Sequence, residues 1–524
     1  MLMFALVLSA CGGGKKEETG GKNSGGQNGG DEKKAQDLII ASLSEAVSLD
    51  PHGSNDVPSS NVAYNIYETL VYQNEKMEIV PGLAKEWKMI DDTTYEFKLQ
   101  EGVKFHDGSD FTADVVKANF ERILDPKVAS PRAFLFEMIE SVNPVDPTTV
   151  QFKLKYPFAP FLAHLAHSGG SMISAEAIKK DYEEIEKDSK KKAGAYISLN
   201  PSGTGWFKLG KWNSGESIKL VRNDDYWGEK AKLDSVTWKV VKEALTRVAE
   251  LETGNSHIID PVSPSDLKRV EDLANAGVNK QTSLSLSYVG FNAQKAPFDN
   301  VKVRQAISMA IDKNEIINGI YEGTGVPAVG PLAPDVYGFD ASVKPIEYDV
   351  EGAKKLLAEA GFPDGFETTI WTNDNPDRRK IAEYVQSALK EIGVEVKIEE
   401  LEWGSYLEQT AAGNHDMFIL GWSTATADAD YAMFPLFHSD NVGDPGNRTF
   451  LKDAELDSIL EKARQETDNT TRLALYKEAQ EKLVELAPML YLMHTEHLNG
   501  VSDNVKGFGV TAAGMFLLKD VTIE

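Results

Sequence analysis

Nine histidines, one cysteine and a surplus of acids are the residues in this 524-residue chain with chemistry to offer. The histidines form no His-Glu-x-x-His run and no cluster at metal-ligand spacing. His494 and His497 stand three apart, but they sit in MHTEHLNG, which reads as a strand, so structural roles are expected for both. Neither a Gly-x-Ser-x-Gly elbow nor a phosphate-cradling loop occurs, and Gly323-Thr324-Gly325, running into Pro327, reads as a plain loop. Paired acids such as Asp91-Asp92 and Asp224-Asp225 are turn and cap residues in so acidic a chain. A single cysteine rules out internal disulfides and Cys-ligated zinc. No catalytic constellation, metal site or cofactor is expected. What remains is the chemistry of binding.

Cys11 is a separate case. It ends Leu8-Ser9-Ala10-Cys11 after an apolar run far shorter than the roughly 20 residues that span a bilayer. Small and apolar residues before a lone cysteine match a lipobox, whose thiol takes a diacylglyceryl group and becomes the mature N-terminus. Residues 1–11 therefore read as a lipoprotein signal. A signal opens with Lys or Arg and none precedes Cys11, so a start upstream of Met1 is expected. Residues 12–37 are Gly, Lys, Glu and Asn with little to bury, the composition of a disordered tether. The formal charge of −26 argues against a nucleic-acid partner. The expected picture is a soluble acidic body outside the cytoplasm, reaching the membrane through its lipid only.

Strands and helices mix without a repeat through that body. Asp37–Ala41 reads as a strand, TTYEFKLQEGVKFHDG as two strands around a Glu101-Gly102 turn, and Phe111–Leu124 as a helix capped by Thr112. DPTTVQFKLKYP, SIKLVRN and SVTWKVV are further strands, and Thr246–Asn255 a short helix stopped by Gly254. A second body begins near Ser287. There Val303–Ile320 predicts one long amphipathic helix, and Tyr348–Phe362 another closed by Gly361. FETTIWT, VEVKIEEL and HDMFILGW are strands around the helix DRRKIAEYVQSALKEIG, a pattern of crossover connections. TRLALYKEAQEKLVEL is a helix leading to the strand MLYLMHTEHLNGV, and KDVTIE a last strand. This is an α/β protein of at least two lobes.

Four stretches in order resemble one family. LAKEWKMIDDTTYEFKLQEGVKFHDGSDFTADVVKANFERILDP, PSGTGWFKLGKWNSGESIKLVRNDDYWG, KAPFDNVKVRQAISMAIDK and YDVEGAKKLLAEAGFPDGF are similar to segments of the peptide/nickel family of extracellular solute-binding proteins, the capture components of ABC importers. Trp206 replaces a usual Pro in the second. The likeness spans about residues 38–524. It implies a two-lobed periplasmic-binding-protein-like fold (type II, cluster C) with an extra inserted subdomain. Lobe I would comprise 38–57, 200–280 and 498–524, with the inserted subdomain at 58–199, and lobe II would run over 281–497. It also implies no enzyme activity, ABC importer permease subunits as partners, and, with the lipobox, a lipid-anchored monomer on a Gram-positive surface.

GWSTATADADYAMFPLFHS bears on the ligand. Peptide-binding members of the family place an Asp three residues after this Trp to meet the ligand's ammonium, and here Ala425 stands there. The later acids, TTIWTNDN and NGIYEGTGVPAVGPLAP resemble the glutathione-binding branch instead. On that resemblance Asp430 or Asp428 would take the amine, Arg132 a carboxylate and Trp422 a wall of the pocket, with Ser423, Tyr64 and Tyr67 as further lining. Arg132 equally fits a surface or inter-lobe ion pair, Trp422 core packing, and Asp428 the cap of a helix starting near Tyr431. The expected ligand is glutathione or a similar short peptide. A general di- or oligopeptide captor is the alternative, with a surface peptidase or a peptide-sensing receptor behind it.

Overall fold

The computed structural model describes residues 36–74, 77–188, 191–444 and 446–524. Cys11 and nearly all of the 12–37 tether lie outside them. Gln36 is already tied into the fold, donating from Nε2 to the Ile523 carbonyl at 2.9 Å. Strand β1 (Asp37–Ser42) begins with the next residue.

Residues 84–154 build a four-stranded antiparallel sheet of their own from β2 (Ala84–Asp91), β3 (Thr94–Leu99), β4 (Ile139–Asp146) and β5 (Thr149–Leu154), in the order β2-β3-β5-β4. Alternation on β3 buries Tyr95, Phe97 and Leu99 on one face, as a half-buried strand requires. That face packs on helix α1 (Ala113–Ile123), where Phe120 meets Phe152 edge-to-face at 5.0 Å. The strand expected after the Glu101-Gly102 turn is absent. Gly102 takes φ +73° as turns demand, but the chain beyond it makes only a bridge between Lys104 and Asp110. β3 pairs with β2 and β5 instead.

The chain returns to its main sheet with β6 (Phe207–Asn213), β7 (Ser217–Arg222), β8 (Ser235–Val240) and β9 (Ile258–Asp260). The long strand β10 (Ala276–Phe291) follows, then β11 (Phe366–Asn373), β12 (Val394–Leu401), β13 (Met417–Ser423) and the equally long β14 (Met489–Ser502). Their order is β12-β11-β13-β10-β14-β9-β1-β8-β7-β6. β10 and β14 pair antiparallel along their length, with register shifts between Thr282 and Leu286 and between Ser287 and Tyr288. One end of this ribbon carries β9 through the Ile258–Val501 pair, and the other carries β13 through Leu286–Trp422. Two chain segments thus run between the β1 half and the β13 half, and the register breaks fall where they cross.

In the β13 half, β11 and β12 are parallel and joined by a crossover helix, α2 (Pro376–Lys390). Its Ile381, Val385 and Leu389 recur at helical spacing and pack with Ile370, Val394 and Val396. Helix α3 (Trp403–Ala411), which the sequence pattern did not mark, lies between β12 and β13. The single helix expected over 303–320 is two, Val301–Met309 and Lys313–Gly319. Asp312 interrupts it, because its side chain accepts from the Asn314 N–H and caps a new start. Helix α4 (Ala429–Phe437) is buried throughout, and its Tyr431 enters the core of the β2–β5 sheet. Helices α5 (Ala454–Gln465) and α6 (Asn469–Leu486) pack beneath it.

Candidate ligand-binding cleft

A cleft of 810 Å³ opens beside the β10–β14 ribbon, lined from both halves. This lies toward the upper end of the range of about 300–1,000 Å³ that small-ligand sites span. Arg132, Tyr64, Trp422 and Ser423 all line it; Tyr67, Asp428 and Asp430 do not.

Arg132 is 3% exposed. Its Nε donates to the Ser54 carbonyl at 2.6 Å and its Nη2 to Ser60 Oγ at 3.0 Å, bonds that fix the guanidinium without neutralising it. Its Nη1 lies 3.3 Å from His167 Nε2. His167 Nδ1 accepts from the Gly169 N–H, so a neutral ring carries its proton on Nε2 and donates it to Tyr431 Oη at 2.8 Å. The imidazole therefore cannot also accept from Arg132. Burial, then the Arg132 charge, hold His167 well below its ordinary pKa, which keeps it neutral. Among the described residues no carboxylate lies within 4 Å of the Arg132 guanidinium. Burial accordingly lowers its pKa, with too little nearby charge to offset it.

A second guanidinium in the cleft escaped the sequence reading. Asn375 caps α2, accepting from the Asp377 and Arg378 N–H groups, with Pro376 in the first turn. This sets Arg378 at the C-terminal edge of β11. Its Nη1 donates to Asn373 Oδ1 at 2.9 Å, and its guanidinium lies 5.6 Å from the Trp403 ring centroid. It too has no carboxylate within 4 Å among the described residues. Gly421 lies beside it: a Cβ there would come to 3.8 Å from Arg378 Nη2 and 3.0 Å from the Leu286 carbonyl. The signal was legible, since Asn-Pro before DRRKIAEYVQ marks a helix start just past a strand, where open α/β sheets place ligands.

The two acids expected to take an amine are already spent. Asp428 caps α4 through the Asp430 N–H and accepts both ends of the Arg472 guanidinium, at 2.9 and 2.7 Å. Asp430 is 2% exposed and pairs with Arg464 at 3.2 and 3.3 Å, with His164 Nε2 at 3.6 Å. Both partners come from α5 and α6, which fold beneath α4 away from the cleft. Tyr67 is likewise core, 1% exposed among Ile66, Ile197 and Phe207. Trp422 both lines the cleft and packs, its Nε1 donating to the Tyr431 carbonyl at 3.1 Å and the rings 5.4 Å apart. Ser423 donates to the Ala513 carbonyl at 3.3 Å. Among the described residues no group of three His, Cys, Asp or Glu could hold a metal ion, and no helix is long and apolar enough to cross a membrane.

The model of bacterial extracellular solute-binding proteins, family 5 (middle region), matches residues 78–444. Glutathione-binding protein GsiB of Shigella dysenteriae serotype 1 (strain Sd197) is 33% identical over 499 residues, covering 94% of this chain and 95% of that protein. Its counterpart of the same name in Escherichia coli (strain K12) matches equally. Among solved structures, the ABC transporter-associated periplasmic binding protein DppA of Helicobacter pylori, in complex with peptide STSA, has a TM-score of 0.85 at 34% identity over 93% of this chain and 98% of that one. The oligopeptide-binding protein AppA of Bacillus subtilis, in complex with a nonapeptide, has 0.85 at 29% identity over 93% and 99%.

Proposed function

The chain belongs to family 5 of the bacterial extracellular solute-binding proteins, and from that premise we propose that it captures glutathione or a similar short peptide for an ABC importer. The family consists of substrate-binding proteins, not enzymes. The observation that carries the ligand class is the pair of guanidiniums, Arg132 and Arg378, that line one cleft with no carboxylate within 4 Å among the described residues. An unpaired buried charge such as Arg132 is costly; one carboxylate of a ligand relieves it, and a second can meet the half-buried Arg378. Glutathione has two carboxylates and one ammonium. The two halves close on it through the crossing segments of β10 and β14. The body is held at the cell surface as a monomer by a lipid on Cys11, and hands its ligand to the permease subunits.

Thermal unfolding of the purified protein against reduced glutathione, oxidised glutathione, dipeptides and longer peptides tests this. A ligand at 100 times its Kd adds about 2.7 kcal/mol of stability. A shift with glutathione and not with neutral-ended peptides is expected. A shift with many peptides and none with glutathione refutes the ligand assignment in favour of a general oligopeptide captor, the reading that the roomy 810 Å³ cleft supports.

A further inference from the structure

With Asp428 and Asp430 neutralised, the cleft needs another acid to receive a ligand amine. Asp56 lines the cleft and is 5% exposed. Its Oδ2 accepts from the Ser59 N–H at 3.0 Å and caps the short helix that follows. Its Oδ1 is buried, and no group among the described residues donates to it. An unsatisfied buried carboxylate oxygen is rare enough in a folded protein to require an explanation.

The surroundings supply one. Arg132 is anchored on Ser54 and Ser60, which flank Asp56 in the same loop, so acceptor and guanidinium belong to one small patch. Trp403, at the start of α3 in the other half, brings its buried Nε1–H toward the Asp56 carboxylate without completing a well-formed hydrogen bond to it. Burial raises the Asp56 carboxyl above its usual value; the Ser59 bonds, Arg132 and the Trp403 N–H offset this only in part. The remaining acids of the cleft are taken or exposed. Asp377 accepts from Ser263 Oγ and Lys380, Asp444 pairs with Arg448, and Asp260 accepts from Asn499 Nδ2 at 2.8 Å. Glu408 and Glu496 are solvent-exposed.

We infer that Asp56, Arg132 and Trp403 form a subsite for a free α-amino-acid head, with the ammonium on Asp56 Oδ1 and the adjacent carboxylate on the Arg132 guanidinium and the Trp403 N–H. This assignment rests on the short-peptide reading above and narrows it. In an ordinary peptide the N-terminal residue has its amine but not its carboxylate, which is an amide. A γ-linked glutamyl residue keeps both on one carbon. The subsite therefore selects γ-glutamyl peptides over their α-linked isomers. Because Trp403 lies near Asp56 from the other half, the head enters when the two halves part and is enclosed when they close.

Asp56→Asn is the test, because Asn caps a helix as well as Asp does, while the charge is lost and the free acceptor oxygen becomes an NH2 that cannot receive an ammonium. Calorimetry on wild type and variant would use glutathione, N-acetylglutathione and the α-linked isomer Glu-Cys-Gly. In wild type, acetylation and α-linkage should each weaken binding on the order of 10²-fold, as loss of a buried charge pair does. In Asp56→Asn, glutathione should weaken by a similar factor and acetylation should then cost less than about threefold, since the cycle isolates that pair. Wild type binding glutathione with Asp56→Asn unaffected, or acetylation costing the same in both, overturns the assignment alone. The same holds if Asp260→Asn, and not Asp56→Asn, removes the acetylation effect. A wild type that binds no short peptide overturns the ligand reading and this subsite with it.

Discussion

Asp430→Asn separates two accounts of the same residue. The resemblance of GWSTATADAD to the glutathione-binding branch makes Asp430 or Asp428 a ligand acid, whose loss would weaken binding and spare the fold. The structure makes it the counter-ion of Arg464, both side chains being almost fully buried, with Nε–Oδ1 at 3.2 Å and Nη2–Oδ2 at 3.3 Å. Burial alone would pull the Arg464 pKa down, and the surrounding groups, the Asp430 carboxylate foremost, more than offset it. Stranding one member of a buried pair costs about 3–5 kcal/mol. Here the guanidinium keeps the Phe434 ring at 3.6 Å and Phe158 at 5.3 Å, contacts worth up to about 2 kcal/mol when desolvated. The expected loss is therefore about 3 kcal/mol, the low end of that range.

Urea denaturation at pH 7.5 reads this as a lower midpoint at unchanged slope, since the surface exposed on unfolding is the same. Glutathione affinity should stay within about threefold, because non-contacting sites couple weakly. Adding Arg464→Met removes the stranded cation, so the double variant should be no less stable than Asp430→Asn alone. Unchanged stability together with a hundredfold loss of affinity would refute the reasoning, and return Asp430 to the ligand.

Arg378→Ala should weaken glutathione binding roughly 10- to 100-fold, the worth of a charge-assisted hydrogen bond, and leave stability within about 0.5 kcal/mol; calorimetry showing no change removes Arg378 from the site. Stability should fall as pH drops below 6.5. Burial lowers His52, His106 and His494 to about 4 and His415 to about 3, so the unfolded chain takes up their protons first. Each such histidine then costs about 1.4 kcal/mol per pH unit until its folded value is reached. Asp260, raised by burial to about 6, works in the opposite direction between 6 and 3.8, and Asp56 and Glu68, also raised by burial, work in that direction too. Burial also lowers His164, His167, His257 and His497, so the histidines outnumber the raised acids. Denaturation midpoints flat from pH 7 to 5 would contradict this balance. Cys11→Ser should abolish incorporation of labelled fatty acid and release the protein from cells; retained label would place the anchor elsewhere.

What the sequence made legible follows from how local each signal is. The strands SIKLVRN, SVTWKVV and FETTIWT and the helix DRRKIAEYVQSALKEIG form where alternation or helical spacing predicts them, because those patterns report burial by neighbouring layers. The run 303–320 looked like one helix because apolar spacing continues through Ala310 and Ile311. The cap that splits it depends on a single side chain, Asp312. Asp428 and Asp430 read as free acids in the sequence for a different reason. Whether a charge is free depends on which residues fold against it, and Arg464 and Arg472 lie more than 30 positions along the chain. In a chain with 81 acids and 55 bases an acid says little, since chance alone puts one in most stretches. Cations are the scarcer group, and most guanidiniums here pair with a carboxylate; among the described residues Arg247 and Arg304 do not, but backbone carbonyls take their N–H groups and neither lines the cleft. Arg132 and Arg378 have no carboxylate within 4 Å among the described residues, and both line the same cleft. Their shared place identifies the binding surface more firmly than any acid in GWSTATADAD, because the buried Arg132 carries a charge that a ligand carboxylate relieves and Arg378 offers a half-buried partner beside the same cleft.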